Sequence, residues 1–152
     1  MGRCESGMTA YAERIRTLRE KSGKSAKDMC DLLGMSYMEY FDLELHDTEL
    51  PMVPSLDQVR RLAAGLGVTV PALLSEQAFN VAAQRVTYRD LVERVKHHMR
   101  QAGLSQGQLE DQIGWSLDDF FHSEKKALEG YNLEFLKHLC AELGISWLEA
   151  VP

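Results

Sequence analysis

Residues that could do chemistry cluster most densely at Tyr37-Met38-Glu39-Tyr40-Phe41-Asp42-Leu43-Glu44-Leu45-His46, which mixes six aromatic or large apolar groups with three carboxylates and no lysine or arginine. A second such cluster is Leu117-Asp118-Asp119-Phe120-Phe121-His122, with no cation before Lys125 and Lys126. Exposed aromatics on an acidic helix suit a protein interface better than a groove in DNA. Such a surface does not suit a phosphate backbone, which wants Lys and Arg. Carboxylates in a first helical turn are also favoured by the helix dipole, so Asp118 and Asp119 have a purely structural reading as well. His97 and His98 are adjacent on a helix-forming stretch, so they point about 100° apart and do not chelate one ion. His138 stands elsewhere. Cys4, Cys30 and Cys140 are odd in number and far apart, which fits neither a disulfide framework nor a zinc site. No nucleophile–base set, phosphate loop or paired-acid signature is present, so no enzyme, metal or cofactor is expected.

These clusters recur because much of the chain repeats. A shift of 80 positions carries Glu13-Arg14-Ile15 onto Glu93-Arg94-Val95, Gly23 and Ser25 onto Gly103 and Ser105, and Gly34 and Ser36 onto Gly114 and Ser116. Asp31, Phe41 and Glu44 land on Asp111, Phe121 and Glu124. Further on, Leu66-Gly67-Val68-Thr69 matches Leu143-Gly144-Ile145-Ser146 at a shift of 77, so one connection is three residues shorter in the second copy. The repeat implies two small domains of one design, over 9–75 and 87–152. Cores of about 70 residues are marginal, so the copies should lean on each other or on a partner chain.

The elements that must position the clusters are helices, and no strand is expected. Thr9 precedes the first, which Gly23 stops in a left-handed conformation. Ser25 caps the second, with Asp28 at the capping-box position, and Gly34 ends it; Ser36 and Glu39 open the third. Tyr40, Phe41 and Leu43 can face inward, while at least one of Tyr37, Met38 and Phe41 must stay exposed. The connection 47–54 contains two prolines, which read as non-helical. Ser55 then opens a helix carrying Leu56, Val59, Leu62, Ala63 and Leu66, stopped by Gly67, and Thr69 caps a short one ending near Leu74. In the second copy the spacing predicts helices over 88–102, 106–113, 117–125, 133–143 and 147–151, with Thr87, Ser105, Ser116, Asn132 and Ser146 at the caps. The alanine-rich stretch 76–86 reads as a helical linker.

Each copy resembles the lambda-repressor-like (XRE, Cro-type) helix-turn-helix family. Arg16 to Gly23 resembles its first helix. Residues 26–43 resemble its bihelical unit, with small Cys30, turn Gly34 and apolar Met35, Tyr40 and Leu43. Leu62-Ala63-Ala64-Gly65-Leu66-Gly67-Val68 resembles its closing helix, and Leu104 to Leu109 its usual opening of the second helix. The resemblance implies an all-α chain of two tandem five-helix domains joined by a helical linker. It also implies a transcription regulator that places each third helix in the major groove. On that reading Lys24, Ser25, Lys27, Ser105, Gln106 and Lys125 would meet phosphates, and Tyr37, Met38, Asp118 and Asp119 would lie on the groove side. The family's pairing of a late arginine in helix one with the glutamate ending helix three implies a structural pair, Arg19 and Glu44. In the second copy Met99 stands at the arginine position, and Glu110 where a small residue packs.

The alternative is a protein that has abandoned DNA for a basic protein partner, as an immunity protein, antitoxin or regulatory adaptor does. Its site would comprise Tyr37, Glu39, Asp42, Asp118, Asp119 and Phe121. The net charge of −6, shared as −3 by residues 1–80 (9 basic, 12 acidic) and −3 by 81–152 (8 and 11), leaves no basic tail for DNA. Two domains in one chain could imitate a repressor dimer, and a homodimer of the chain stays open. No apolar run is long enough to span a membrane and no signal peptide stands at Met1, which with the cysteine pattern points to a cytoplasmic setting. Met1-Gly2-Arg3-Cys4-Glu5-Ser6 matches the short myristoylation pattern, and Met8 is an equally good start.

Overall fold

Serine or threonine before an apolar run and glycine after it set most of the helix ends. In the computed structural model, which describes residues 11–75 and 85–152, these become α1 (Tyr11–Ser22), α2 (Ala26–Leu33), α3 (Tyr37–Leu45), α4 (Glu49–Met52), α5 (Leu56–Leu66) and α6 (Val70–Leu74). They are followed by α7 (Tyr88–Ala102), α8 (Gln106–Ile113), α9 (Asp118–His122), α10 (Glu124–Gly130), α11 (Leu133–Leu143) and a 3-10 turn at Trp147–Glu149. Among the described residues the chain is wholly helical, without a strand. Capping boxes form at Ser25–Asp28, Ser36–Glu39, Ser55–Gln58 and Ser105–Gln108, each satisfying two end donors reciprocally. Gly34 and Gly114 close α2 and α8 with φ of 68° and 87°, a conformation in which a Cβ would be strained.

In the first half α1 packs on α3, α5 and α6, and α2 packs on α3 and α5. Ile15, Met29, Leu33, Tyr40, Leu43, Leu50, Val59 and Leu62 are buried between them. In the second half α11 packs on α7 and α8, over Leu91, Val95, Leu109, Ile113, Phe120, Phe135 and Leu139. All of these belong to one continuous apolar cluster.

That continuity comes from a seam between the halves. Helix α5 packs on α10, α4 on α11, and α6 on the 3-10 turn. Leu56 N donates to Tyr131 O at 2.8 Å, and Asn132 Nδ2 to Met52 O at 2.8 Å. A shift of 77 residues carries α5 onto α11 and α4 into α10. The contact α5–α10 therefore exchanges with α11–α4, and α6–turn maps onto itself. This reciprocity is the pattern of an isologous interface, here inside one chain.

Several expectations are corrected. Residues 117–125 do not form one helix. Ser123 adopts φ −169° and separates α9 from α10. It stands where Leu43 anchors α3 in the first half; its hydroxyl instead accepts from Lys126 N at 3.1 Å and starts a new helix. The connection 47–54 contains α4 despite Pro51, because that proline lies in a first turn, whose N–H groups have no intrahelical partner. Residues 147–151 form only the three-residue turn. Leu117 rather than Ser116 precedes α9, and neither it nor Ser146 makes a side-chain cap bond; Ser116 Oγ accepts from Asp118 N at 3.2 Å. Phe41 faces outward, 37% exposed. Arg85 and Val86, at the end of the expected linker helix, are not helical. The rest of that linker, Thr9 and the motif at 1–6 lie outside the described residues.

Candidate functional site: the outer face of the third helix

Helix α3 is anchored on one side only. Tyr40 and Leu43 are fully buried, and Glu44 is 5% exposed. Arg19 Nε donates to Glu44 Oε2 at 2.5 Å and its NH2 to Oε1 at 3.1 Å, while Tyr40 OH donates to Oε2 at 2.5 Å. A carboxylate this deep is sustained because each oxygen is met by charge-assisted or hydroxyl donors. Burial raises the Tyr40 hydroxyl pKa far above its ordinary value, with the bond to Glu44 adding to it. The expected pair Arg19–Glu44 is thus present, extended by Tyr40.

With that side locked, the opposite side points to solvent. Tyr37, Met38 and Leu45 are all more than half exposed, and Tyr37 stacks on Phe41 with centroids 5.7 Å apart. Tyr37, Phe41 and Leu45 follow at intervals of four, so they form one apolar stripe, and Met38 flanks it. Glu39 is exposed beside it and Asp42 half-buried. Glu39 also accepts from Ser36 N at 2.9 Å through its capping box. No cation lies on α3.

The corresponding region of the second half differs. Phe120 is buried at 2% exposure, against the rings of Tyr88, Phe121 and Phe135, and Phe121 is half-buried. Asp118 and Asp119 are exposed. Gln106 Nε2 donates to Glu110 Oε2 at 2.9 Å and to Asp118 Oδ1 at 2.8 Å, so both its amide hydrogens already have carboxylate acceptors. Glu110 Oε2 also accepts from Leu117 N at 2.7 Å. That backbone bond, then Gln106, holds the Glu110 carboxyl below its usual range. Glu110 therefore ties α8 to the turn before α9, as the Cys30 thiol ties α2 to the turn before α3 by donating to Ser36 O at 3.8 Å. The sequence marked the departure from a small residue but not the bond to Leu117 N.

The other expected phosphate contacts are spread out. Ser25 and Ser105 are occupied as helix caps. Lys27 pairs with Asp31 at 3.1 Å on an open surface. Lys24 and Lys125 are exposed. His98 Nε2 lies 3.4 Å from Glu142 Oε2, and His138 packs against Trp115. Among the described residues no three His, Cys, Asp or Glu side chains gather to hold a metal, and no helix is long and apolar enough to cross a membrane.

One feature was missed in the sequence. Lys96, Met99, Arg100, Leu104, Gln106 and Phe121 line an open groove of about 570 Å³ between α7, α8 and α9. Its signal was Met99 at the position of Arg19, which removes the ion pair that closes this region in the first half.

No protein-family model, curated protein or solved structure matches the chain.

Proposed function

We propose that the chain is a non-enzymatic double helix-turn-helix protein of the lambda-repressor-like kind, with units over 9–75 and 87–152, whose α3 face recognises a protein. The observation that carries this reading is the exposed stripe of Tyr37, Phe41 and Leu45 with Met38 beside it, on a helix with carboxylates and no cation. Base readout wants Arg or Lys for guanine and Asn or Gln for adenine, and the outer face of α3 offers none of them. Aromatics and methionine are the residues enriched at protein interfaces. The reciprocal seam supports the two-unit reading, since it exchanges each unit's elements for the other's.

The DNA-binding reading keeps a specific support. Lys24 and Lys125 are exposed where the resemblance places phosphate contacts, and reciprocal units in one chain could present two reading helices as a repressor dimer does. Titration of labelled random-sequence duplex DNA at low salt separates the two. The protein-binding reading expects no binding. Affinity that falls steeply with salt, and that is lost in Lys24→Glu with Lys125→Glu, would overturn it in favour of DNA.

A further inference from the structure

The α3 face and the α7–α9 groove are complementary, and among the described residues of the chain nothing fills either. The first is an apolar ridge of Tyr37, Phe41 and Leu45 beside Glu39 and Asp42. The second is an open groove with Met99, Leu104 and Phe121 inside it and Lys96 and Arg100 exposed on it. Helix α3 packs on α1, α2 and α4, which leaves Tyr37, Met38 and Leu45 more than half exposed. The groove is open because Met99 replaces the arginine that would reach for Glu124, and Glu124 starts α10 beyond the break at Ser123, exposed. In the first half the same region is closed by Arg19, whose guanidinium bonds Glu44 and the carbonyl of Lys24. The described residues of each chain therefore present both this ridge and this groove.

We propose that the α3 ridge of one copy docks in the α7–α9 groove of a second copy, joining chains head to tail. This rests on the reading of α3 as a protein-binding face and names its partner. Methionine and leucine in the groove suit the stacked Tyr37 and Phe41 rings, since a polarizable thioether packs well on aromatic edges. Lys96 and Arg100 meet the carboxylates of Glu39 and Asp42. Pairing α3 with α3 of another copy would instead set Glu39 and Asp42 against themselves, a like-charge cost. A contact between two different surfaces is heterologous, so it propagates unless the rotation closes a ring.

The test is sedimentation or light-scattering mass of the full chain over a dilution series from about 1 μM to 1 mM, which brackets weak to moderate association. The wild type should grow in mass with concentration. A ridge variant, Met38→Lys with Leu45→Lys, and a groove variant, Lys96→Glu with Arg100→Glu, should each stay monomeric, both changes lying at exposed positions and checked for folding by circular dichroism. Mixed in equal amounts the two should form a one-to-one pair and stop there, because only one intact ridge and one intact groove remain. A wild type that stays monomeric throughout overturns the proposal. So does association that survives in the groove variant, or a mixture that fails to pair while the wild type associates. A monomeric wild type leaves the protein-binding reading of α3 standing, with another partner. Salt-sensitive DNA binding sinks that reading itself.

Discussion

Replacing Arg19 by the methionine found at the matching position of the second half puts the buried Glu44 carboxylate to a direct test. Arg19→Met removes both guanidinium donors, at 2.5 and 3.1 Å, and leaves only Tyr40 OH on a group 5% exposed. Two hydrogen bonds to a charged group contribute about 3–6 kcal/mol together. The Arg19 side chain is 16% exposed, so water can replace part of this. The expected loss is therefore about 3 kcal/mol, the lower end for breaking a buried pair from one side. For a chain of this size that lowers Tm by about 6–12 °C. Adding Glu44→Gln removes the stranded charge while keeping an acceptor for Tyr40, and should restore about 1–2 kcal/mol. Urea and thermal unfolding followed by circular dichroism measure both. A loss below about 1 kcal/mol would refute the reasoning, since it would place the pair among screened surface salt bridges. So would a double variant no more stable than the single one.

Acid should destabilise the fold in a defined window. Burial of Asp57 pushes its carboxyl pKa up, but bonds from Arg61 and Arg60 outweigh it and hold the group below its ordinary 3.8. Asp28 is held down by Ser25, and Glu110 by Leu117 N, below their ordinary 3.8 and 4.5. Depressed folded values mean stability that is present above the ordinary range and lost as pH falls below about 4; Tm against pH should show that limb, shallower in Asp57→Asn. Tyr131→Phe should cost about 1–3 kcal/mol in urea unfolding, because the buried Phe120 N–H and the Ser116 carbonyl both lose their partner. Cys140, fully buried with its thiol pushed up to about 12, should react with iodoacetamide only when the second half opens, so its labelling rate at pH 8 should rise with urea.

What could be read in the sequence was local. Ser25, Ser55 and Ser105 with a residue three further on, and the left-handed glycines, mark helix ends through bonds that close within four residues. This is why α2, α5, α7, α8 and α11 match their expected spans. The inward positions of Tyr40 and Leu43 followed from the same spacing. The failures came from competition between partners far apart or between two local options. Pro51 passed as a breaker because its place in a first turn depends on Leu50 being drawn into the core. Ser123 could sit in a helix or start one, and with no Leu43-like anchor it starts one. The stripe ending at Leu45 emerged only once Tyr40 and Glu44 had fixed which side of α3 faces in. Glu110 resembled a misfit until its oxygen was seen to hold Leu117 N.

The seam ties together parts of the chain that synthesis separates. Asn132 reaches Met52 across 80 positions, and α4, α5 and α6 await partners made only after the second half has been synthesised. Until then α4, α5 and α6 stand without the elements of the second half that pack on them. Afterwards, opening either half strips apolar surface from the other. The chain should accordingly melt in one cooperative step rather than two. Its first half should mature late, when the last helix closes over it, and a truncation before α11 should damage residues some 80 positions upstream.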